Sequence, residues 1–284
     1  MISRPFEYFA PKTLEDALTI VNRFRDEAKL IAGGQSLVPM MNLGLVSPMY
    51  IVDLNKVRGI SGIHETSKAL TIGAIVRHYE IASSETVRSV IPMLSEAAGH
   101  IGDMHVRHRG TIGGSVCHAD PAADYPPVLQ VADAVFELRS KRRKRLVKAR
   151  EFFRDAFTTA LRDDEILTRI QIPKRSGWLN AYEKLEFVSG GYAVASAAVM
   201  VKLKEGKEIE NLMVGIGGVE RRPLFIDLTS EFTGRPANGG TAEEIEVSVI
   251  SRIQNPISDV QADGEYRQTM AGVLARRAFR RCIG

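Results

Sequence analysis

The chain has 284 residues, of which 44% are hydrophobic, and it carries a formal net charge of +4. This length allows one large or two modest globular domains, and the charge is too mild to indicate a nucleic-acid-binding protein. No run of about 18 apolar residues argues for a membrane span, and no apolar signal core follows Met1, so we expect a cytoplasmic protein with no membrane span. Cys117 and Cys282 are too few to build a disulfide framework or to ligate an iron–sulfur cluster.

The first predicted element is a helix over residues 14–24. Thr13 and Asp16 form a capping-box-like start, and apolar residues follow at helical spacing. Strand-like segments then recur, with helices between them. The predicted strands cover 29–32, 50–53, 70–75, 135–138 and 166–172, and the predicted helices cover 79–83 and 92–101.

A linker is predicted at residues 174–177, where Pro173 ends a strand and a polar, glycine-containing segment follows. Strands predicted at 182–188, 193–203 and 212–216 form an antiparallel sheet, and helices at 241–253 and 265–283 cover one of its faces. The fold class is therefore α+β, with one domain over residues 1–175 and a smaller C-terminal domain over residues 176–284.

Residues 139–150 contain eight basic side chains. A nucleic-acid patch is one interpretation. The other is a β-hairpin whose tip lies in solvent, because strand-like sequence flanks the segment on both sides. No aromatic residues interleave the charges, as a single-strand binder requires, so the sequence favours the hairpin.

Two glycine-rich turns carry the strongest functional signal. They are Ala32-Gly33-Gly34-Gln35-Ser36-Leu37 and Thr111-Ile112-Gly113-Gly114-Ser115. Glycine permits the close approach and positive φ angles with which successive main-chain N–H groups bind a phosphate. Neither turn fits the phosphate-loop or the Rossmann pattern. Together they predict a diphosphate clamp in a different nucleotide-binding fold.

Histidines near the second turn do not have the spacing of metal ligands. His100, His105, His108 and His118 form no His-x-x-x-His pair, and Cys117 belongs to no Cys-x-x-Cys motif. We therefore expect no metal site on this chain and interpret the segment as electropositive lining beside an anion.

The two turns and several shorter motifs resemble the FAD-binding medium subunit of molybdenum hydroxylases, the family that includes carbon monoxide dehydrogenase and xanthine dehydrogenase. The shorter motifs are Val52-Asp53-Leu54, Ile72-Gly73-Ala74, Asp120-Pro121-Ala122-Ala123-Asp124, Asp164-Glu165-Ile166-Leu167, Ala181-Tyr182-Glu183-Lys184 and residues 266–278. The resemblance covers almost the whole chain. It implies a two-part FAD-binding domain of the PCMH/vanillyl-alcohol-oxidase-like type, followed by a smaller domain with an antiparallel sheet covered by helices.

The resemblance also implies which residues contact FAD. The two turns, extended to residues 30–37 and 111–115, would wrap the diphosphate; Asp124 would hold the nucleotide portion, and Tyr192 would lie beside the isoalloxazine ring. Gln35 and Ser115 differ from the His and Asn of many relatives, but both still form hydrogen bonds. The full set is Leu30, Ile31, Ala32, Gly33, Gly34, Gln35, Ser36, Leu37, Ile101, Thr111, Ile112, Gly113, Gly114, Ser115, Asp124, Leu167, Lys184 and Tyr192.

The function implied by the resemblance is electron transfer within a heterotrimer, with no catalytic residue on this chain. A large partner subunit would hold a molybdopterin-type molybdenum cofactor, and a small one would hold two [2Fe–2S] clusters. Electrons would pass through FAD to an external acceptor, and two heterotrimers would pair. Two alternatives stay open: a stand-alone FAD-dependent oxidase or reductase of the same fold, and a non-redox FAD-binding scaffold subunit.

Overall fold

A computed structural model describes residues 4–284. The first layer is a parallel three-stranded sheet in the order β1-β3-β2, formed by β1 (Glu7–Phe9), β2 (Ala28–Ile31) and β3 (Tyr50–Asp53). Helix α1 (Leu14–Phe24) begins as predicted, because the Thr13 side chain accepts a hydrogen bond from Asp16 N at 3.1 Å. Its buried face packs against β3. A short helix, α2 (Leu37–Asn42), follows the first glycine turn.

The second layer is a five-stranded antiparallel sheet in the order β4-β5-β10-β6-β7. Its strands are β4 (Ile63–Glu65), β5 (Ala69–Gly73), β6 (Val135–Arg139), β7 (Lys144–Lys148) and β10 (Ile166–Pro173). β6 and β7 pair from Val135–Lys148 to Arg139–Lys144, so the basic segment is the predicted hairpin. A two-stranded sheet, β8 (Phe153–Asp155) with β9 (Thr158–Thr159), lies beyond it.

Seven helices lie between and after the strands of this sheet, and several of them are shorter than two turns. They are α3 (His78–Ser83), α4 (Glu85–Val90), α5 (Pro92–Gly99), α6 (Met104–Arg109), α7 (Ile112–His118), α8 (Tyr125–Val131) and α9 (Ala149–Phe152). The helices predicted at 79–83 and 92–101 correspond to α3 and α5. The sequence patterns missed α6, α7 and α8, which surround the second glycine turn.

The C-terminal part is a four-stranded antiparallel sheet with its strands in chain order. They are β11 (Trp178–Leu185), β12 (Ala195–Leu203), β13 (Ile209–Gly217) and β14 (Leu224–Asp227), followed by α10 (Thr229–Phe232), α11 (Gly239–Arg252) and α12 (Gly264–Ile283). The prediction that a strand extends from 182 to 188 was wrong at its C-terminal end, because the chain leaves the sheet after Leu185. It then forms a loop in which Gly190 has φ +78°.

Both faces of the C-terminal sheet are covered. Ala197 and Val199 on β12 pack into an apolar cluster with α11 and α12, whereas Ala198 and Met200 on the same strand belong to the large core of the five-stranded sheet. Alternation along a strand explains this division. A side chain at Gly215 on β13 would overlap the Pro127 carbonyl of α8, so glycine at this position allows the helix to pack closely on the sheet. Within the described chain, none of the helices combines the length and apolarity needed to cross a membrane.

Candidate cofactor site

The two glycine turns meet in space. The first turn links β2 to α2, and the second leads into α7. A Cβ on Gly33 would lie 2.6 Å from the Gly110 Cα and still closer to the Arg109 carbonyl, so the two backbones are in direct contact. Gly34 has φ +76°, a conformation that side chains other than glycine rarely adopt. Glycine at both positions therefore allows two segments about 75 residues apart to form one surface.

The first turn offers several main-chain donors. Across residues 4–284, the N–H groups of Gly33, Gly34, Gln35 and Ser36 have no hydrogen-bond acceptor, and neither has the N–H of Thr111 in the adjoining turn. These five N–H groups lie at one place and remain available to solvent or to an acceptor outside the chain. An anion with several oxygens, such as a diphosphate, fits this row of donors.

The second turn differs from the first in its main-chain hydrogen bonds, because most of its N–H groups have acceptors within the chain. Ile112 N donates to Val76 O at 3.0 Å, Gly113 N to Ala74 O at 2.8 Å, and Gly114 N to Thr111 Oγ1 at 3.1 Å. Gly113 has no room for a Cβ against the Ala74 carbonyl. These hydrogen bonds hold the start of α7 against the chain around Ala74 and Val76. Whether residues 112–115 contact a cofactor stays a prediction.

A buried charge cluster forms the other end of the site. Asp124 is 5% exposed and precedes α8 without capping it, because its carboxylate is engaged elsewhere. The Lys184 ammonium lies 3.0 Å from Asp124 Oδ1 and 3.0 Å from Glu186 Oε2, and it donates to the His100 carbonyl at 3.2 Å. Burial raises the pKa of Asp124, whereas the Lys184 ammonium favours its ionised form. Asp124 and Lys184, predicted from separate motifs, therefore form one ion pair.

The Lys184 ammonium is already engaged by protein groups. It donates hydrogen bonds to the His100 carbonyl and to Asp124 Oδ2, both at 3.2 Å, and it forms an ion pair with Glu186 Oε2 at 3.0 Å. The predicted direct contact of this cation with a cofactor stays a prediction, and the geometry favours an indirect action through Asp124.

Ile101 and Tyr192 lie on adjoining loops beside this cluster. Gly102 N donates to Gly190 O at 3.1 Å, and a Cβ on Gly190 would overlap the Gly102 backbone. Ile101 is partly buried and Tyr192 is 55% exposed. Partial burial and the negative charges of Asp120 and Asp124 raise the pKa of Tyr192.

Leu167 is the exception among the predicted residues. It is 3% exposed, pairs with Leu138 across β10 and β6, and lies in the large apolar core. Its side chain therefore faces other apolar side chains, and any contact with a cofactor stays a prediction.

Sequence reasoning assigned no role to Tyr182 or Glu186. Tyr182 Oη donates to Asp124 Oδ1 at 2.6 Å. Residues two apart on a strand share a face, so Lys184 on β11 was a signal that Tyr182 also faces Asp124. Among residues 4–284, no group of three or more His, Cys, Asp or Glu side chains is arranged to hold a metal ion.

The free amides of the paired turns and the buried Asp124 carboxylate fit a nucleotide-cofactor-binding protein of mixed helix and sheet. Residues 4–175 match the family of the FAD binding domain in molybdopterin dehydrogenase, and residues 180–282 match the CO dehydrogenase flavoprotein C-terminal domain. The chain belongs to the FAD-binding medium subunits of the molybdenum hydroxylases, and it is an oxidoreductase subunit.

Named relatives cover the chain almost from end to end. It is 37% identical to the glyceraldehyde dehydrogenase medium chain of Sulfolobus acidocaldarius, over 97% of both chains. It is 34% identical to the carbon monoxide dehydrogenase medium chain of Afipia carboxidovorans, over 99% of this chain and 98% of the relative.

A solved structure extends this similarity to the fold. A chain of the carbon monoxide dehydrogenase from Hydrogenophaga pseudoflava that lacks the Mo-pyranopterin moiety of the molybdenum cofactor matches with a TM-score of 0.95 and 32% identity. The match covers 100% of this chain and 99% of that one.

Proposed function

We propose that the chain holds FAD across the paired turns and the Asp124 cluster, and that it passes electrons from [2Fe–2S] clusters of a partner subunit to an external acceptor. The observation that carries this proposal is the set of five free main-chain donors where the turns meet. FAD has a diphosphate, which those donors fit, and a ribose whose hydroxyl groups suit a buried carboxylate.

The residues divide the binding work between them. The N–H groups of Gly33, Gly34, Gln35 and Ser36, with that of Thr111, would bind the diphosphate. Asp124 would accept a hydrogen bond from the nucleotide portion, and the loops of Ile101 and Tyr192 would border the isoalloxazine ring. When bound, FAD supplies the redox chemistry, since it exchanges electrons singly and in pairs. The chain itself needs no catalytic acid or base for that task.

The partners follow from the family. We propose a large subunit with a molybdopterin-type molybdenum cofactor, a small subunit with two [2Fe–2S] clusters, and a dimer of such heterotrimers in the cytoplasm. Several relatives are named as medium chains or subunits, which supports a multi-subunit assembly. We also propose that residues 1–175 form the FAD-binding domain and residues 176–284 the second domain.

The test starts from the complex isolated with a tag on this chain. We expect co-purification of two further subunits, about one FAD per chain, and bound molybdenum and iron, measured by mass spectrometry, flavin chromatography and metal analysis. Anaerobic addition of an aldehyde, an N-heterocycle or carbon monoxide should bleach the flavin absorbance for one of these substrate classes.

Other outcomes distinguish the alternatives. A flavin-loaded chain that is isolated without partners and reduced directly by substrate would indicate a stand-alone oxidase or reductase. A complex whose FAD no substrate or chemical reductant can reduce through the iron–sulfur clusters would indicate a scaffold. A folded complex without FAD would contradict the proposal.

A further inference from the structure

A fully buried tyrosine hydroxyl is bonded to the Asp124 carboxylate. Tyr182 is 1% exposed, and its Oη donates to Asp124 Oδ1 at 2.6 Å. Burial and the nearby Asp124 carboxylate raise the pKa of Tyr182 well above its ordinary value, so the phenol keeps its proton. The direction of the hydrogen bond is therefore fixed, with tyrosine as the donor and aspartate as the acceptor.

Side chains from two helices hold the main chain of Tyr182 in place. Its main-chain N–H donates to Glu96 Oε2 of α5 at 3.1 Å, and its carbonyl accepts from Arg281 of α12 at 2.8 Å. Arg281 also donates to Glu96 Oε1 at 2.6 Å. The position of this tyrosine thus depends on contacts from both parts of the chain.

Protein contacts on both oxygens hold the Asp124 carboxylate. A carboxylate has about four lone-pair positions. Tyr182 takes one on Oδ1, and the Lys184 ammonium approaches Oδ1 at 3.0 Å and Oδ2 at 3.2 Å. A donor outside the chain therefore meets a carboxylate whose orientation Tyr182 and Lys184 fix.

We propose that Tyr182 is a positioning residue for cofactor binding: its hydroxyl holds the Asp124 carboxylate so that this group accepts a hydrogen bond from a hydroxyl of the nucleotide portion of FAD. This inference rests on the proposed function. It assigns a role to a residue that touches only other protein groups and acts through Asp124.

Tyr182→Phe, studied in the complex of the chain with its partner subunits, removes the hydroxyl and keeps the ring. We expect FAD affinity to fall about tenfold, as for the loss of a hydrogen bond to a charged group. We also expect FAD release on acidification to begin at higher pH, because the phenol no longer favours the ionised carboxylate. Dialysis between about pH 5 and pH 8, followed by fluorescence of the released FAD, measures the FAD affinity and the pH of release.

The matched control is Tyr125→Phe. Tyr125 is equally buried and adjoins Asp124, but its hydroxyl bonds His78 Nδ1 at 2.9 Å. We expect this variant to lose stability, measured by circular dichroism, while FAD affinity and the pH of release stay within twofold and a few tenths of a unit. In an Asp124→Asn background, Tyr182→Phe should cost little further affinity, since coupled residues are not additive.

The proposal is overturned if Tyr182→Phe keeps wild-type FAD affinity and the wild-type pH of release, or if it costs as much in the Asp124→Asn background as alone. If Tyr182→Phe does not fold, Glu96→Gln decides: it loosens the strand around Tyr182, and an unchanged pH of release would contradict the proposal. A wild-type complex without FAD would overturn the proposed function itself, whereas a loaded wild type with an unaffected Tyr182→Phe would overturn only this inference.

Discussion

The two ends of the candidate site are built from different chemistry. At the paired turns the donors are main-chain N–H groups, and glycine is needed because the backbones touch. At the Asp124 cluster the binding groups are charged side chains that the fold brings from distant segments. At the paired turns we expect an added side-chain atom to disrupt the site, whereas at the Asp124 cluster we expect the loss of a charge to disrupt it. Substitutions can separate these two sensitivities.

The largest effect is expected at Lys184, which forms ion pairs with both Asp124 and Glu186. Lys184→Met leaves two carboxylates without their shared partner, and breaking a buried ion pair in this way costs about 3–5 kcal/mol of unfolding free energy at neutral pH. Without the ammonium, burial raises the pKa of the Asp124 carboxyl further in the folded variant, so the loss relative to the wild type shrinks as the pH falls. Denaturant unfolding at about pH 8 and pH 5.5 measures this. An equal loss at both pH values would contradict the charge argument.

Gly33→Ala is the corresponding test of the main-chain end. The added Cβ would overlap the Gly110 backbone, so the turns must separate and the free amides lose their common surface. We expect FAD affinity to fall about a hundredfold, while the unfolding free energy falls by about 1–3 kcal/mol. Gly99→Ala is the matched control, because a Cβ there meets nothing within 4 Å. Normal FAD content in Gly33→Ala would remove the turns from the site.

His78 sharpens the comparison, because it is a titratable group behind the main-chain end. Its ring lies against Gly110, and burial lowers the pKa of His78 to about 3. The unfolded chain therefore binds this proton at higher pH than the folded chain, and stability falls as the pH drops below about 6.5.

His78→Phe removes this source of acid sensitivity. Between about pH 7.5 and pH 5, we expect the wild type to lose about 2 kcal/mol more of its unfolding free energy than the variant loses. Denaturant midpoints at the two pH values give the difference. His64→Phe, at a site facing solvent on β4, is the control. Parallel losses in wild type and His78→Phe would show that His78 takes up its proton in the folded state.

The smallest effect is expected at Thr111, whose hydroxyl caps α7 by accepting from Gly114 N at 3.1 Å. Thr111→Val should cost about 1 kcal/mol of unfolding free energy, and Thr111→Ser should restore most of it. The free amides of the first turn are untouched, so FAD affinity should change less than threefold. A loss as large as that of Gly33→Ala would mean that the capped second turn, rather than the first, supplies the main contact.

The main-chain end was predictable from sequence because its chemistry requires glycine, and glycine pairs stand out. Helix α7 was not, since Gly113 and Gly114 are poor helix formers, and the helix depends on the Thr111 cap and on the bond from Gly113 N to the Ala74 carbonyl. Phe187 and Val188 favour strands, yet they lie in the loop after β11. The bond between Tyr182 and Asp124 joins residues 58 positions apart. Neither residue type nor spacing signals such a pair, so only the folded chain reveals it.

The two-sided burial of β12 sets a rule for recombining relatives. A chimaera that joins the first part of one medium chain to the second part of another, near residue 177, would have to carry compatible residues at Ala198 and Met200, although both lie in the second part. Ala197 and Val199 would instead have to match α11 and α12, which come from the same parent as β12. In such a chimaera, alternate residues of β12 would thus be chosen from different parent sequences.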